Sequence, residues 1–205
     1  MTGKLIHQYW LHDGVLHRGD GPAVEEYDVE TGRILRQGFY EFGKLHRVDA
    51  PALVVFDNAT GLPTSERHAQ HGKLNRRPDL PAKWTRDPRS AVMTLEEYWV
   101  NGELHRDGAP AAIKRCAETG KTVEEEWFSL GAYHREHGPA VVARDAKTGV
   151  VTSEEYWVLG QEHRENGPAL IARDPATGET LTEEWWIKGE RLPGRDGHVD
   201  FQPVL

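Results

Sequence analysis

Apolar residues in this chain come in short stretches rich in Thr, Val, Tyr, Trp and Phe, and no 3.6-residue helical period persists through any of them. The stretches recur. Glycines at Gly14, Gly43, Gly72, Gly102, Gly131, Gly160 and Gly189 stand 29, 29, 30, 29, 29 and 29 residues apart, so seven repeats of about 29 residues fill the 205-residue chain. A second column follows each first glycine by 18 residues: Thr31-Gly32, Thr60-Gly61, Thr119-Gly120, Thr148-Gly149 and Thr177-Gly178, with Ser90-Ala91 in the third repeat. Four residues before the second glycine stands an aspartate, at Asp28, Asp57, Asp87, Asp145 and Asp174. Cys116 fills that slot in the fourth repeat and reads as a turn substitution. Gly-Pro-Ala, or a remnant of it, falls at Pro22, Pro51, Pro81, Pro110, Pro139 and Pro168.

Turn chemistry converts these columns into strands. Asn101-Gly102 and Asp13-Gly14 carry the type I′ hairpin signal, in which both central residues take positive φ. Asp-x-x-Thr-Gly suits a longer hairpin loop, with the aspartate accepting local backbone hydrogen bonds. Gly-Pro ends a short strand, since proline cannot donate to a ladder. With Leu159-Gly160 as the turn, Val158 faces Gln161, Trp157 faces Glu162, Tyr156 faces His163 and Glu155 faces Arg164. The same register opposes Glu97 to Arg106 and Glu126 to Arg135, and pairs His17, His46, His105 and His134 with Trp10, Phe39, Tyr98 and Trp127. The repeated His-Arg doublet thus predicts one aromatic contact and one ion pair per hairpin. No repeat can bury its aromatic column alone, so neighbours must stack. The expected fold is all-β, an elongated array of antiparallel β-hairpins forming a single repeat domain over 1–205. Its repeats run 5–33, 34–62, 63–92, 93–121, 122–150, 151–179 and 180–205, the last being a C-terminal cap marked by Arg191-Leu192-Pro193-Gly194.

Composition narrows the class. At 28% charged and 38% hydrophobic residues the chain can fold, with a core expected to be thin and rich in aromatics. A mean hydropathy of -0.67 and the lack of any apolar run near the roughly 20 residues of a membrane span argue against a membrane protein. The opening MTGKLIHQYW has no apolar signal region, so a cytoplasmic setting is expected. One cysteine can build neither a disulfide framework nor a thiolate zinc site.

The residues EEYWVNGELHRDGAPA at 96–111 carry a resemblance: an aromatic pair, Asn-Gly, Leu-His-Arg, then a Gly-Pro-Ala relic. This pattern resembles the MORN-variant β-hairpin repeats, a group that includes YwqK-type antitoxins or immunity proteins and similar repeat proteins of bacteria and their phages. The resemblance covers essentially the whole chain and implies a non-catalytic binder, in some members one that neutralises a toxin. The 29-residue repeat departs from the ordinary MORN period of about 23 residues. Lipid-binding readings therefore transfer badly.

The polar residues give little sign of catalysis. Equivalent histidines, two or three strands apart, should lie roughly 10 Å from one another, too far to share a metal. Only the local pairs His68/His71 and His7/His12 invite one, so no metal and no cofactor are expected. The polar doublets occur five or six times over, where an active site is unique. The four serines, Ser65, Ser90, Ser129 and Ser153, lie in no nucleophile-elbow sequence. Adjacent glutamates such as Glu154-Glu155 or Glu183-Glu184 should point to opposite faces and cannot act as an acid/base pair.

Charge is unevenly placed. The total is -8, with net -1 over 1–102 and net -7 over 103–205, while 67–91 carries net +5. The leading expectation is a protein-binding module that presents Trp99, Trp157 and Trp186 beside Glu96, Glu154 and Glu183 to a basic protein, such as a toxin or another nucleic-acid-handling protein. A different reading has aromatic hairpins holding glycans or small ligands. A third has nucleic acid on the basic third repeat, through Arg67, Arg76, Arg77, Trp84, Arg86 and Arg89. That repeat breaks the pattern, with Asn75 for histidine, Ala69 for an aromatic, and a register that opposes Arg67 to Arg76.

Overall fold

The computed structural model describes residues 5–194 and 197–198. The chain divides into two compact units, Met1–Glu103 and Leu104–Leu205. Strand is the only regular element among the described residues, and no helix is long and apolar enough to cross a membrane. The first unit orders its long strands as Leu5–Tyr9, Val24–Asp28, Ile34–Gly38, Leu53–Phe56, Pro63–Arg67, Lys83–Arg86 and Met93–Glu97. The second orders Ala112–Arg115, Thr122–Glu126, Val141–Arg144, Val151–Glu155, Leu170–Arg173, Thr180–Glu184 and Gly197–His198 in the same way. A complete repeat thus gives two strands to its sheet and one two-residue-deep hairpin beside it. The array of antiparallel hairpins is the fold that the turn chemistry predicts. The cap positions 195–196 and 199–205 lie outside the described residues.

Both turns behave as their residues dictate. At the tight turn the residue before glycine always has positive φ, from 46° at Phe42 to 52° at Asn101 and Lys188. The predicted register holds over that hairpin, with Trp157 opposite Glu162 and Val158 opposite Gln161. At the longer turn Asp145 Oδ1 accepts from the Thr148 amide at 2.7 Å and hydroxyl at 2.9 Å, while the Gly149 amide donates to the Asp145 carbonyl at 2.9 Å. Cys116 keeps the same backbone bonds, accepting from Gly120 N at 2.8 Å and donating to Lys121 O at 3.0 Å, as its reading as a turn residue requires. The third repeat puts Ala91 at the glycine position with φ 59°. A Cβ is strained there, so Ala91→Gly should raise stability by about 0.5–1 kcal/mol in urea unfolding, against the usual cost of glycine.

The core differs from expectation. The alanines of Gly-Pro-Ala (Ala23, Ala52, Ala82, Ala111, Ala140 and Ala169) are each 0% exposed, and among the described residues no large side chain is fully buried. The aromatics are mostly half-buried, Tyr98 being buried at 6% while Tyr9 and Phe42 are exposed. The cause is a backbone junction. Ala140 N donates to Glu155 O and its carbonyl accepts from Trp127 N, each at 2.7 Å, which ties the long sheet to the small hairpin. Ala169 does the same between Glu184 and Tyr156. A residue gripped on both sides at the crossing of two ladders has no room for a larger side chain.

The hairpin ladder has two full residue pairs and one further bond, His163 N to Tyr156 O at 2.9 Å, and then ends, which overturns the predicted Glu155–Arg164 and Glu126–Arg135 ion pairs. Arg164 leaves Glu155: its amide donates to Trp186 O in the next repeat at 3.1 Å, and its guanidinium lies 3.8 Å over the Tyr156 ring and bonds Pro168 O at 3.0 Å. Arg135 likewise leaves Glu126 for the Trp127 ring, at 3.9 Å, and for Pro139 O. Arg67 does not oppose Arg76 but stands between Leu53 and Lys83.

Candidate functional site

The histidine column has a role that the register alone does not reveal. Its amide pairs with the aromatic as predicted, His134 N donating to Trp127 O at 3.0 Å, but its imidazole reaches into the next repeat. His134 Nδ1 accepts from the amide of Leu159, first residue of the following tight turn, at 3.3 Å. His17, His46, His105 and His163 accept in the same way from Phe42, His71, Leu130 and Lys188, at 3.0 to 3.4 Å. Asn75 does it too, its Oδ1 accepting from Asn101 N at 3.0 Å. The third repeat has therefore kept this link between neighbours, and its asparagine is a working replacement. The aromatic contact assigned to histidine belongs instead to arginine.

The same bond bears on the metal question. Glu41, His46 and His71 bring three ligand atoms within 4.8 Å of one another, a grouping in which His71 meets His46 of the adjacent repeat and not His68. A neutral imidazole that accepts at Nδ1 carries its proton on Nε2, whereas a metal at Nε2 needs that proton on Nδ1. His46 cannot do both, so a metal at its Nε2 would cost the link to the His71 amide. His12 packs against His17, and the His7 ring is stacked parallel to that of Tyr9.

Of the candidate binding residues, the tryptophans are half-buried and oriented. Trp99, Trp157 and Trp186 donate Nε1–H to Glu97, Glu155 and Glu184 at 2.8, 3.0 and 3.0 Å. Their partners are thus the second glutamate of each pair, not Glu96, Glu154 and Glu183. Alternation along the strand puts that first glutamate on the other face, where Glu154 forms an ion pair with Arg173. In the second unit the register aligns Glu126, Val141, Glu155, Leu170 and Glu184 across one face. The other face aligns Glu125, Val142, Glu154, Ile171 and Glu183.

One carboxyl pair escapes the sequence reading because its members are two residues apart, on the same face. Lys114 Nζ lies 3.0 Å from Glu124 and 3.4 Å from Glu126. Burial, with Glu124 beside it, pushes the Glu126 carboxyl up to about 7. A raised carboxyl favours the folded state below its unfolded value, and that benefit fades as pH rises through about 7. Glu126→Gln should therefore raise the melting temperature at pH 8 and lose that advantage near pH 4. The turn aspartates act oppositely. Hydrogen bonds from the Thr148 amide and hydroxyl hold Asp145 below the usual range, as Thr60 does for Asp57, so their contribution is lost as pH falls below about 4.

The basic residues do not converge on one surface. Trp84 donates Nε1–H to Glu66 at 3.0 Å, with Arg86 beyond its ring at 5.9 Å and bonded to Pro63 O. Arg67 is exposed at the end of its strand, and Arg89 sits in the Asp87 turn, where its amide donates to Asp87 Oδ1. Arg76 and Arg77 line a separate groove against the second repeat. In comparison with known proteins, no family model matches the chain and no curated protein matches it.

Proposed function

We propose that this chain is a non-catalytic protein-binding repeat module, inhibitor- or immunity-like as the MORN-variant resemblance implies, that takes a basic protein on the second unit. The observation that carries this reading is the row Glu126, Glu155 and Glu184, in register across one sheet, with the Trp157 and Trp186 indoles tied to the last two carboxylates. Two strand spacings separate successive glutamates, so carboxylates recur about every 10 Å. Half-buried tryptophan beside a carboxylate offers apolar area to a partner together with an acceptor for its lysine or arginine. The repetition of these groups fits a surface better than a reaction centre.

The test is capture of partners from source cells on the immobilised chain at low salt, with the double variant Glu155→Lys, Glu184→Lys run in parallel. The reading predicts a basic protein retained by the unmodified chain, and lost both in the variant and at about 0.5 M salt. Equal retention by both chains, or no retained protein, contradicts it.

A further inference from the structure

The third repeat departs from its siblings at several positions, and three of those departures, at His68, at Asn75 and in the loop of Arg76 and Arg77, line one groove. Its first aromatic slot holds His68, where the others have Trp10, Phe39, Tyr98, Trp127, Tyr156 and Trp185. The second slot holds Ala69, buried at 1%, where other repeats carry Leu, Tyr, Phe or Trp. One extra residue separates Gly72 from Pro81 and lengthens the loop that contains Arg76 and Arg77. The groove between the second and third repeats encloses about 330 Å³ within the first unit and is lined by Arg47, Asp49, His68, Asn75, Arg76 and Arg77 among others. The repeat keeps its Asn75 link to Asn101 and adds a cation, Arg77, to the groove that it shares with the second repeat.

The charge of this groove is distinctive. Equivalent grooves between neighbouring repeats balance two arginines with two acids: Arg18 and Arg47 with Asp20 and Glu41, or Arg135 and Arg164 with Glu136 and Glu165. This one sets three arginines against Asp49 alone on its walls. Asp79 is paired to Arg77 at 3.1 Å, but both side chains are largely exposed, where such a pair holds weakly. Arg47 and Arg76 are fixed by Pro51 O and Pro81 O at 3.3 and 3.0 Å, and each bond uses one of the five guanidinium donors. Burial of Arg76 works against its charge. His68, 6% exposed, also lines the groove, and its Nε2 stands 3.5 Å from the Glu66 carboxylate, which it holds below the usual range.

We propose that this groove binds a small phosphate-bearing molecule, gripped by Arg47, Arg76 and Arg77 beside the buried His68. Guanidinium forks match phosphoryl oxygens in pairs, and a cavity of this size suits a small ligand rather than a polymer. This inference is independent of the protein-binding reading, which concerns the other unit.

Calorimetric titration with inorganic pyrophosphate, at ionic strength matched with chloride, tests it. The expected result is one saturable site with a dissociation constant below about 1 mM. Arg77→Ala, which changes an exposed side chain, and His68→Phe, which restores the aromatic of the other repeats, should each weaken binding about tenfold, while Arg89→Ala, outside the groove, leaves it unchanged. If His68→Phe fails to fold, Arg77→Ala against Arg89→Ala still decides. No saturable binding, or an equal loss in Arg77→Ala and Arg89→Ala, overturns the proposal.

Discussion

Ala140→Leu should lower the stability of the chain by about 3 kcal/mol, seen as an early urea midpoint, although alanine to leucine is a gentle change in most strands. Ala140 is fully buried and donates and accepts 2.7 Å bonds at once, so three added carbons can be housed only by pulling the small hairpin away from the sheet. The loss would reach beyond one side chain, because Trp127 N and Glu155 O both lose their partner. Ala140→Ser, nearly the same size, should cost far less. An unchanged midpoint for the leucine variant would mean that the junction is not where the packing is tight.

The second large effect concerns the link between repeats. His134→Ala should cost about 0.5–1 kcal/mol, since it removes the acceptor for the Leu159 amide and leaves that exposed donor to water. His134→Asn should restore most of this, because asparagine performs the same task at Asn75 in this very chain. The pair of variants separates two explanations of the histidine column. If stacking on the aromatic were its role, asparagine would fail as alanine does. If the cross-repeat hydrogen bond is its role, asparagine rescues and the urea midpoints show it.

What was legible in the sequence was local. Tight turns, the Asp-x-x-Thr-Gly loops and the first two pairs of each hairpin follow from residues within a few positions of one another, and each is found in the structure as the turn chemistry predicts. The Glu155–Arg164 pairing failed because extending a register assumes that the ladder continues, and here the Ala140 and Ala169 junctions stop it after two full pairs and one further bond. The histidine role was hidden for a different reason: the bond joins residues 25 apart, and only the stacking geometry brings His134 to Leu159. Alanine after Gly-Pro looked like punctuation, because a small side chain carries no hydropathic signal large enough to mark a core. The choice between Glu154 and Glu155 as the companion of Trp157 follows from strand alternation, which puts Trp157 on the face of Glu155. The groove at Arg76 could be signalled only by several departures in one repeat, whose meeting point is set by the fold.

The central claim is that each repeat is an interchangeable block bonded only to its neighbours, with any binding chemistry added to that frame. Excising residues 151–179 tests it most directly. Val150 then joins Thr180 in place of Glu179, so the turn glycine Gly149 and the strand Thr180–Glu184 keep their places in the pattern. The account predicts a shortened chain with the same strand signal per residue in circular dichroism and a single cooperative unfolding transition. Loss of the strand signal, or a chain that fails to fold, would show that the repeats are not equivalent and would contradict the account.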